Sequence, residues 1–270
     1  QDVIESPVTS NAIDLCEQPQ LGVPNLEDIQ DVIKAIKHAK FPVLLVGMRS
    51  SSEKETEAIR KLVAKSNLPV VETFQGAGVL NRELENHFFG RVGLFRNQVG
   101  DELLRKADLV VAIGYDPIEY EASNWNKELD TEIIAIDEVQ AEITNFLRPK
   151  KELIGNIAGT IQLLSENVHE PIINQNRLDD LERLRAEVIE ATGIKYTHED
   201  GVMHPLEIIE TMQKTLTDDT TVTVDVGSHY IWMARKFRSY NPRHLLFSNG
   251  MQTLGVALPW AIAAALVRPN

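Results

Sequence analysis

The chain has 270 residues, 43% hydrophobic and only 6% aromatic, a globular composition with length for one large or two ordinary domains. Its 27 basic residues against 40 acidic ones leave a net charge of −13, which repels a nucleic-acid backbone or an anionic membrane. The single cysteine, Cys16, excludes an internal disulfide and a cysteine-cluster metal site, and without a neighbouring histidine it reads as an inert thiol of a reducing compartment.

At the start, "QDVIESPVTS" carries no charged-then-apolar leader, so a cytoplasmic location is expected. "NLEDIQDVIKAIKHAK" reads as an amphipathic helix capped by Asn25, with Leu26, Ile29, Ile33 and Ile36 on one face. Pro42 and "VLLVG" follow as a buried parallel strand, then a serine-rich cap and the helix "KETEAIRKLVAKS". A second unit runs strand "LPVVET", long loop, helix "VGDELLRKA", strand "DLVVAIG". A third gives "TEIIAID", a short helix, "ELIG" and the helix "NIAGTIQLLSEN". Residues 166–200 break this rhythm with one charged helix between polar flanks and read as an interdomain connector. After it come helix "HPLEIIETMQKTL", strand "TTVTVDVG", helix "HYIWMARKF", strand "RHLLFS" and a glycine turn into the apolar helix "LPWAIAAALV". That last apolar stretch, Leu254 to Val267, is too short to span a bilayer and is expected to lie buried. The pattern predicts an α/β protein of two doubly wound parallel-sheet domains, the second incomplete.

Ligands of open parallel sheets gather beyond the carboxyl ends of strands, where helix N-termini present free N–H groups. Four such ends stand out. "VGMRSSS" offers an anion one arginine and three hydroxyls, although serines cap helices without any ligand. "FQGAGVLNRE" permits close backbone approach or simply a tight turn, and the acids of "IGYDPIEYE" oppose a phosphate. No G-x-G-x-x-G stands at a strand end, so the dinucleotide fingerprint fails. The fourth end, "VDVGSHYIW", brings Gly227, Ser228 and His229 to a helix N-terminus, and "SNGMQTLGVALPW" puts a second glycine junction one strand later. Two adjacent junctions make a pocket.

This pair, "DVGSHYIWMARKF" and "SNGMQTLGVALPWAIAAAL", resembles the cofactor domain of thiamine diphosphate enzymes, in particular the acetolactate synthases. "FFGRVGLFRNQVGDELLRKADLVVAIGYDPIEYEASNWN" looks like the middle domain of their catabolic, acetoin-pathway members, so the likeness covers nearly the whole chain. It implies that Ser228 and His229, with Gly227, contact the cofactor diphosphate, and that Gly250, Met251 and Gln252 face the aminopyrimidine, the main-chain carbonyl of Gln252 accepting from its exocyclic amine. Leu254 falls on the apolar residue that wedges the two cofactor rings into a V, so that the amine can take the thiazolium proton. The implied reaction decarboxylates pyruvate and adds the hydroxyethyl carbanion to a second pyruvate, giving 2-acetolactate and CO2.

By the same resemblance, residues 1–20 would be the exit from a pyrimidine-binding domain, 21–165 the central domain, 166–200 the connector and 201–270 the first part of the diphosphate-binding domain. The chain would then be an internal piece, inactive alone, with no metal ligand of its own; the Gly-Asp-Gly metal motif for Mg2+ would follow it, and the catalytic glutamate would precede it. The loops "GMRSSS" and "GYDPIEYE" lack the glycines and arginine of flavin-binding relatives, so FAD is not expected. A homodimer or homotetramer is expected of the intact enzyme, with no nucleic-acid or membrane partner. A pyruvate oxidase or glyoxylate carboligase shares the same turns, and a noncatalytic nucleotide-binding module using the serines at 50–52 is the reading from another class. Trp125 and Trp232 read as packing residues; His38, His87, His169, His198, His204 and His244 have no metal-ligand spacing; Arg96 and Gln98 sit on a loop that suggests a substrate channel.

Overall fold

The first helix, α1 (Leu26–His38), starts where Asn25 accepts the amide of Asp28 at 2.9 Å. Its buried stripe holds Ile29, Ile33 and Ile36 as expected and adds Val32, whereas Leu26, expected on the same face, is exposed. The computed structural model describes residues 20–93, 98–192 and 201–269. The expectations for residues 1–19, Cys16, Arg96 and His198 lie outside them.

From α1 the chain enters β1 (Pro42–Val46), α2 (Glu53–Ser66), β2 (Val70–Thr73), β3 (Phe88–Val92), α3 (Val99–Lys106), β4 (Leu109–Ile113), β5 (Glu132–Asp137), β6 (Lys151–Ile154) and α4 (Ile157–Glu166). The six strands form one parallel sheet in the order β3-β2-β1-β4-β5-β6. The crossovers through α2 and α3 run in opposite directions along it, and right-handed connection puts these helices on opposite faces. On one side α4 packs on α1 and α2; on the other α3 meets α5 (Gln175–Thr192). Fully apolar runs such as "PVLLV" and "LVVAI" are buried along their whole length because both faces are covered.

Two local expectations fail for readable reasons. The long loop after β2 contains β3, whose "FFGRV" hides behind a glycine and a buried arginine and pairs with β2 through a register shift. The short helix expected between β5 and β6 does not form. There the Thr144 hydroxyl accepts the amides of Phe146 (3.2 Å) and Leu147 (3.0 Å), and Pro149 follows, so the chain turns instead. The charged α5 is docked rather than free: Leu178, Leu181 and Val188 are buried, and Arg185 donates to the Phe88 carbonyl at 2.6 Å.

The second region adds α6 (Pro205–Thr215), β7 (Val222–Val224), α7 (Ser228–Lys236), β8 (Leu245–Phe247) and α8 (Ala257–Val267), with β7 and β8 parallel. A two-stranded sheet cannot bury a core alone. Its apolar cluster therefore takes Phe74 and Ala77 from the first region, and Phe74 meets Tyr230 and Phe247 at ring separations of 5.9 and 5.6 Å. The burial expected of α8 is not met among the described residues. It leans on β7, while Leu258, Ile262 and Leu266 are 70%, 55% and 78% exposed, because two strands cover only one flank of a helix that is apolar all round. No described helix is long and apolar enough to cross a membrane.

Candidate functional site

Each sheet ends in a place where strands open into glycine loops. In the large sheet this is the gap between β1 and β4, from which the chain departs in opposite directions. A Cβ on Gly47 would stand 2.5 Å from the Gly114 carbonyl oxygen, so the two loops touch through their backbones. Arg49 fills what remains. Its Nε and Nη2 each donate to Asp137 at 2.7 Å and its Nη1 to Asp116 at 2.7 Å, which raises its already high pKa, chiefly through the Asp137 hydrogen bonds. The hydroxyls of Ser50 and Ser51 donate to the carbonyls of Gly47 and Met48, and Ser52 donates to Glu55. The anion site conceived for "VGMRSSS" thus has its donors engaged within the protein, and two carboxylates face its arginine.

Behind this plug lies Glu119, 4% exposed, accepting the Met48 amide at 2.9 Å and the Thr73 hydroxyl at 2.7 Å. Burial pushes its carboxyl up to about 7, with the Met48 and Thr73 hydrogen bonds opposing. The Glu119 carbonyl accepts the side-chain amide of Asn249 at 3.2 Å and so ties this corner to the second glycine loop.

The second sheet ends differently. Gly227 gives α7 no side-chain cap, and Ser228 and His229 are exposed on its first turn. Across from them runs the turn 248–256, in which Gly250 (φ 85°), Gln252 (φ 47°) and Gly255 (φ 83°) are all left-handed. For Gln252, a residue with a Cβ, such a backbone costs on the order of 1–3 kcal/mol, and strain of this kind clusters at functional sites. Met251 and Leu254 are 90% and 75% exposed. All seven candidate residues, Gly227, Ser228, His229, Gly250, Met251, Gln252 and Leu254, therefore lie on two neighbouring turns.

One residue joins these turns. Asp225, the first residue after β7, accepts the amides of Val226 (2.8 Å) and Gly255 (2.9 Å) on Oδ1 and of Ala257 (3.1 Å) on Oδ2. These backbone donors, first Gly255 and then Ala257 and Val226, hold its pKa below the usual carboxylate value. Sequence reasoning gave Asp225 no part, since its partners lie thirty and more residues away.

The far end of α7 is held from the large sheet. Arg91, fully buried, donates to the carbonyls of Ala234 (2.9 Å) and Phe237 (3.0 Å) and faces Glu72 at 3.5 Å. Desolvation brings its pKa down to about 10, against the pull of Glu72. Glu72 also takes Arg238, which stacks on Phe88 at 3.4 Å.

Other expectations resolve simply. Trp125 is buried edge-on to Tyr115, and Trp232 packs edge-on to His204, which caps α6. Gln98 does not face a channel: it is buried as the cap of α3 in a capping box with Asp101. Among the described residues no cluster of His, Cys, Asp or Glu could hold a metal ion.

Residues 29–164 match the family model for the central domain of thiamine pyrophosphate enzymes, and residues 225–270 match that for their C-terminal TPP-binding domain. The chain belongs to the thiamine pyrophosphate enzymes. It is 45% identical over 270 residues to an acetolactate synthase of Bacillus subtilis (strain 168), covering 100% of this chain and 47% of that protein. It is 38% identical over 275 residues to a catabolic acetolactate synthase of Raoultella terrigena, covering 100% and 48%. A large subunit of acetolactate synthase from Lactococcus lactis subsp. lactis (strain IL1403) is 24% identical over 282 residues, covering 99% and 48%. The chain spans about half the length of these curated relatives. In this thiamine pyrophosphate enzyme the TPP-binding match begins at Asp225 and takes in both open turns, whereas the plugged junction falls within the central-domain match.

Proposed function

We propose that this chain is the central and cofactor-turn portion of a catabolic acetolactate synthase that joins two pyruvates into 2-acetolactate and CO2. The supporting observation is the pair of adjacent turns held open at the end of the second sheet, in a chain whose relatives at 45% and 38% identity are named acetolactate synthases, the second of them catabolic. The residues fit thiamine diphosphate. Ser228, His229 and the uncapped first turn of α7 suit a diphosphate, since the helix dipole and free amides favour an anion there. The left-handed Gln252 turns its carbonyl out of any helical pattern, as an acceptor for the aminopyrimidine amine must be. Leu254, exposed on the same turn, offers the apolar surface on which two rings can fold together. The bound cofactor would supply a nucleophilic carbon and an electron sink for decarboxylation of a 2-oxo acid. This chain's part is to orient it, to exclude water with Met251 and Leu254, and to keep the amine hydrogen-bonded at the Gln252 carbonyl so that it can accept a proton.

The proposal includes Mg2+ as the counter-ion of the diphosphate, a cytoplasmic homodimer or homotetramer, and no FAD. In support of the last, the junction that would take a dinucleotide is filled by Arg49 with Asp116 and Asp137, and its loops touch at Gly47 and Gly114. The domain limits 21–165, 166–200 and 201–270 are part of the same reading.

The test is calorimetry on the intact polypeptide with thiamine diphosphate and Mg2+, and separately with adenine nucleotides, followed by product analysis from pyruvate. Binding of the first, a colourless protein and acetolactate release are expected. Flavin absorbance, oxygen consumption or a preference for glyoxylate would assign another member of the family, and binding of adenine nucleotides alone would favour a noncatalytic module.

A further inference from the structure

We propose that Asp225 is a positioning residue that sets the separation of the two turns and thereby the location of Leu254 and Gln252. An aspartate at the end of a strand before a helix commonly caps that helix. Asp225 instead reaches the amides of Gly255 and Ala257, and Val256, at the N-cap position of α8, makes no side-chain cap of its own. Its Oδ1 accepts Val226 and Gly255 together, so a single oxygen joins the backbone entering the α7 turn to the backbone leaving the Leu254 turn. Thr223 adds a parallel contact, donating to the Ala257 carbonyl at 3.0 Å.

The staple has something to restrain. A Cβ on Gly250 or Gly255 would meet nothing within 4 Å, Met251, Thr253 and Leu254 are exposed, and Gln252 between them is held in a strained backbone. Among the described residues the other side-chain hydrogen bonds on this turn are Ser248 accepting the Thr253 amide at 3.1 Å and Asn249 donating to the Glu119 carbonyl. Remove the carboxylate, and the segment between Thr253 and Ala257 keeps no side-chain anchor for its amides among the described residues.

The inference rests on the cofactor reading above, and its test separates the two. In the intact polypeptide, Asp225→Asn keeps the shape but replaces one acceptor with a donor, Asp225→Ala removes both, and Asp218→Asn, which loses only a surface ion pair with Arg82, is the control. Amide hydrogen exchange is read first, on cofactor-free protein. Peptides over 250–257 should exchange about tenfold faster or more in both Asp225 variants, the scale of one lost charge-assisted hydrogen bond, with peptides over 230–236 unchanged. The dissociation constant of thiamine diphosphate at saturating Mg2+ should rise, and kcat should fall by roughly tenfold or more while KM for pyruvate holds. Wild-type exchange at 250–257 in both variants overturns the staple. Faster exchange with unaltered cofactor affinity and kcat overturns its role in positioning. A wild-type protein that binds no thiamine diphosphate removes the cofactor reading, and the positioning role with it, even where the exchange result is as expected.

Discussion

The two sheets end alike, in a strand, a glycine and a helix N-terminus, yet one junction is shut and the other open. At the β1–β4 gap the glycines bring backbone against backbone, and an arginine held by two aspartates takes the remaining volume. At the β7–β8 end Gly250 and Gly255 face free space, and an aspartate ties the two turns by gripping amides instead of a cation. Glycine permits both outcomes. What decides is the charge partner: Arg49 between Asp116 and Asp137 closes, and Asp225 with only N–H donors keeps the edge clear.

This contrast can be broken in four ways, in descending order of effect. Gly47→Ala should cost about 3–4 kcal/mol, because the added carbon meets backbone at 2.5 Å that cannot step aside; urea midpoints measure it. Arg49→Leu leaves Asp116 and Asp137 facing each other, partly hydrated, and should cost about 2–3 kcal/mol by the same measurement. Glu119 supplies a pH test. Its folded pKa of about 7 lies above the ordinary 4.5, so the folded protein binds the proton more tightly than the unfolded chain. The stability this gives is complete below the unfolded value and is lost as pH rises through the folded one, a drift of about 2 kcal/mol between roughly pH 5 and 7. Glu119→Gln should flatten that part of the stability profile, and an unchanged slope would show the carboxyl is not the group titrating. Last, Gly255→Ala meets no atom and should cost about 1–2 kcal/mol from its left-handed backbone alone, while lowering thiamine diphosphate affinity in calorimetry. A Gly255→Ala loss as large as that of Gly47→Ala would erase the distinction between the junctions.

The strands of the large sheet were legible because "PVLLV" and "LVVAI" are apolar from end to end, and only a strand buried on both faces needs that. β3 was not, since Gly90 and Arg91 interrupt its pattern and Arg91 is there to hold α7, a partner about 140 residues away. The seven turn residues could be picked out from glycine placement and family likeness. Asp225, Asn249 and the Arg49 plug could not, because each acts through a backbone group or a charge brought near only by the finished topology.

Phe74 belongs by sequence to the larger region and by packing to the smaller, where Tyr230 and Phe247 close around it. A graft that exchanged the smaller region for that of a relative, cut at any point after residue 200, would leave this ring behind in the recipient. The donor's contacts would then have to accept a foreign aromatic as their keystone, so compatibility at position 74 would govern which hybrids fold.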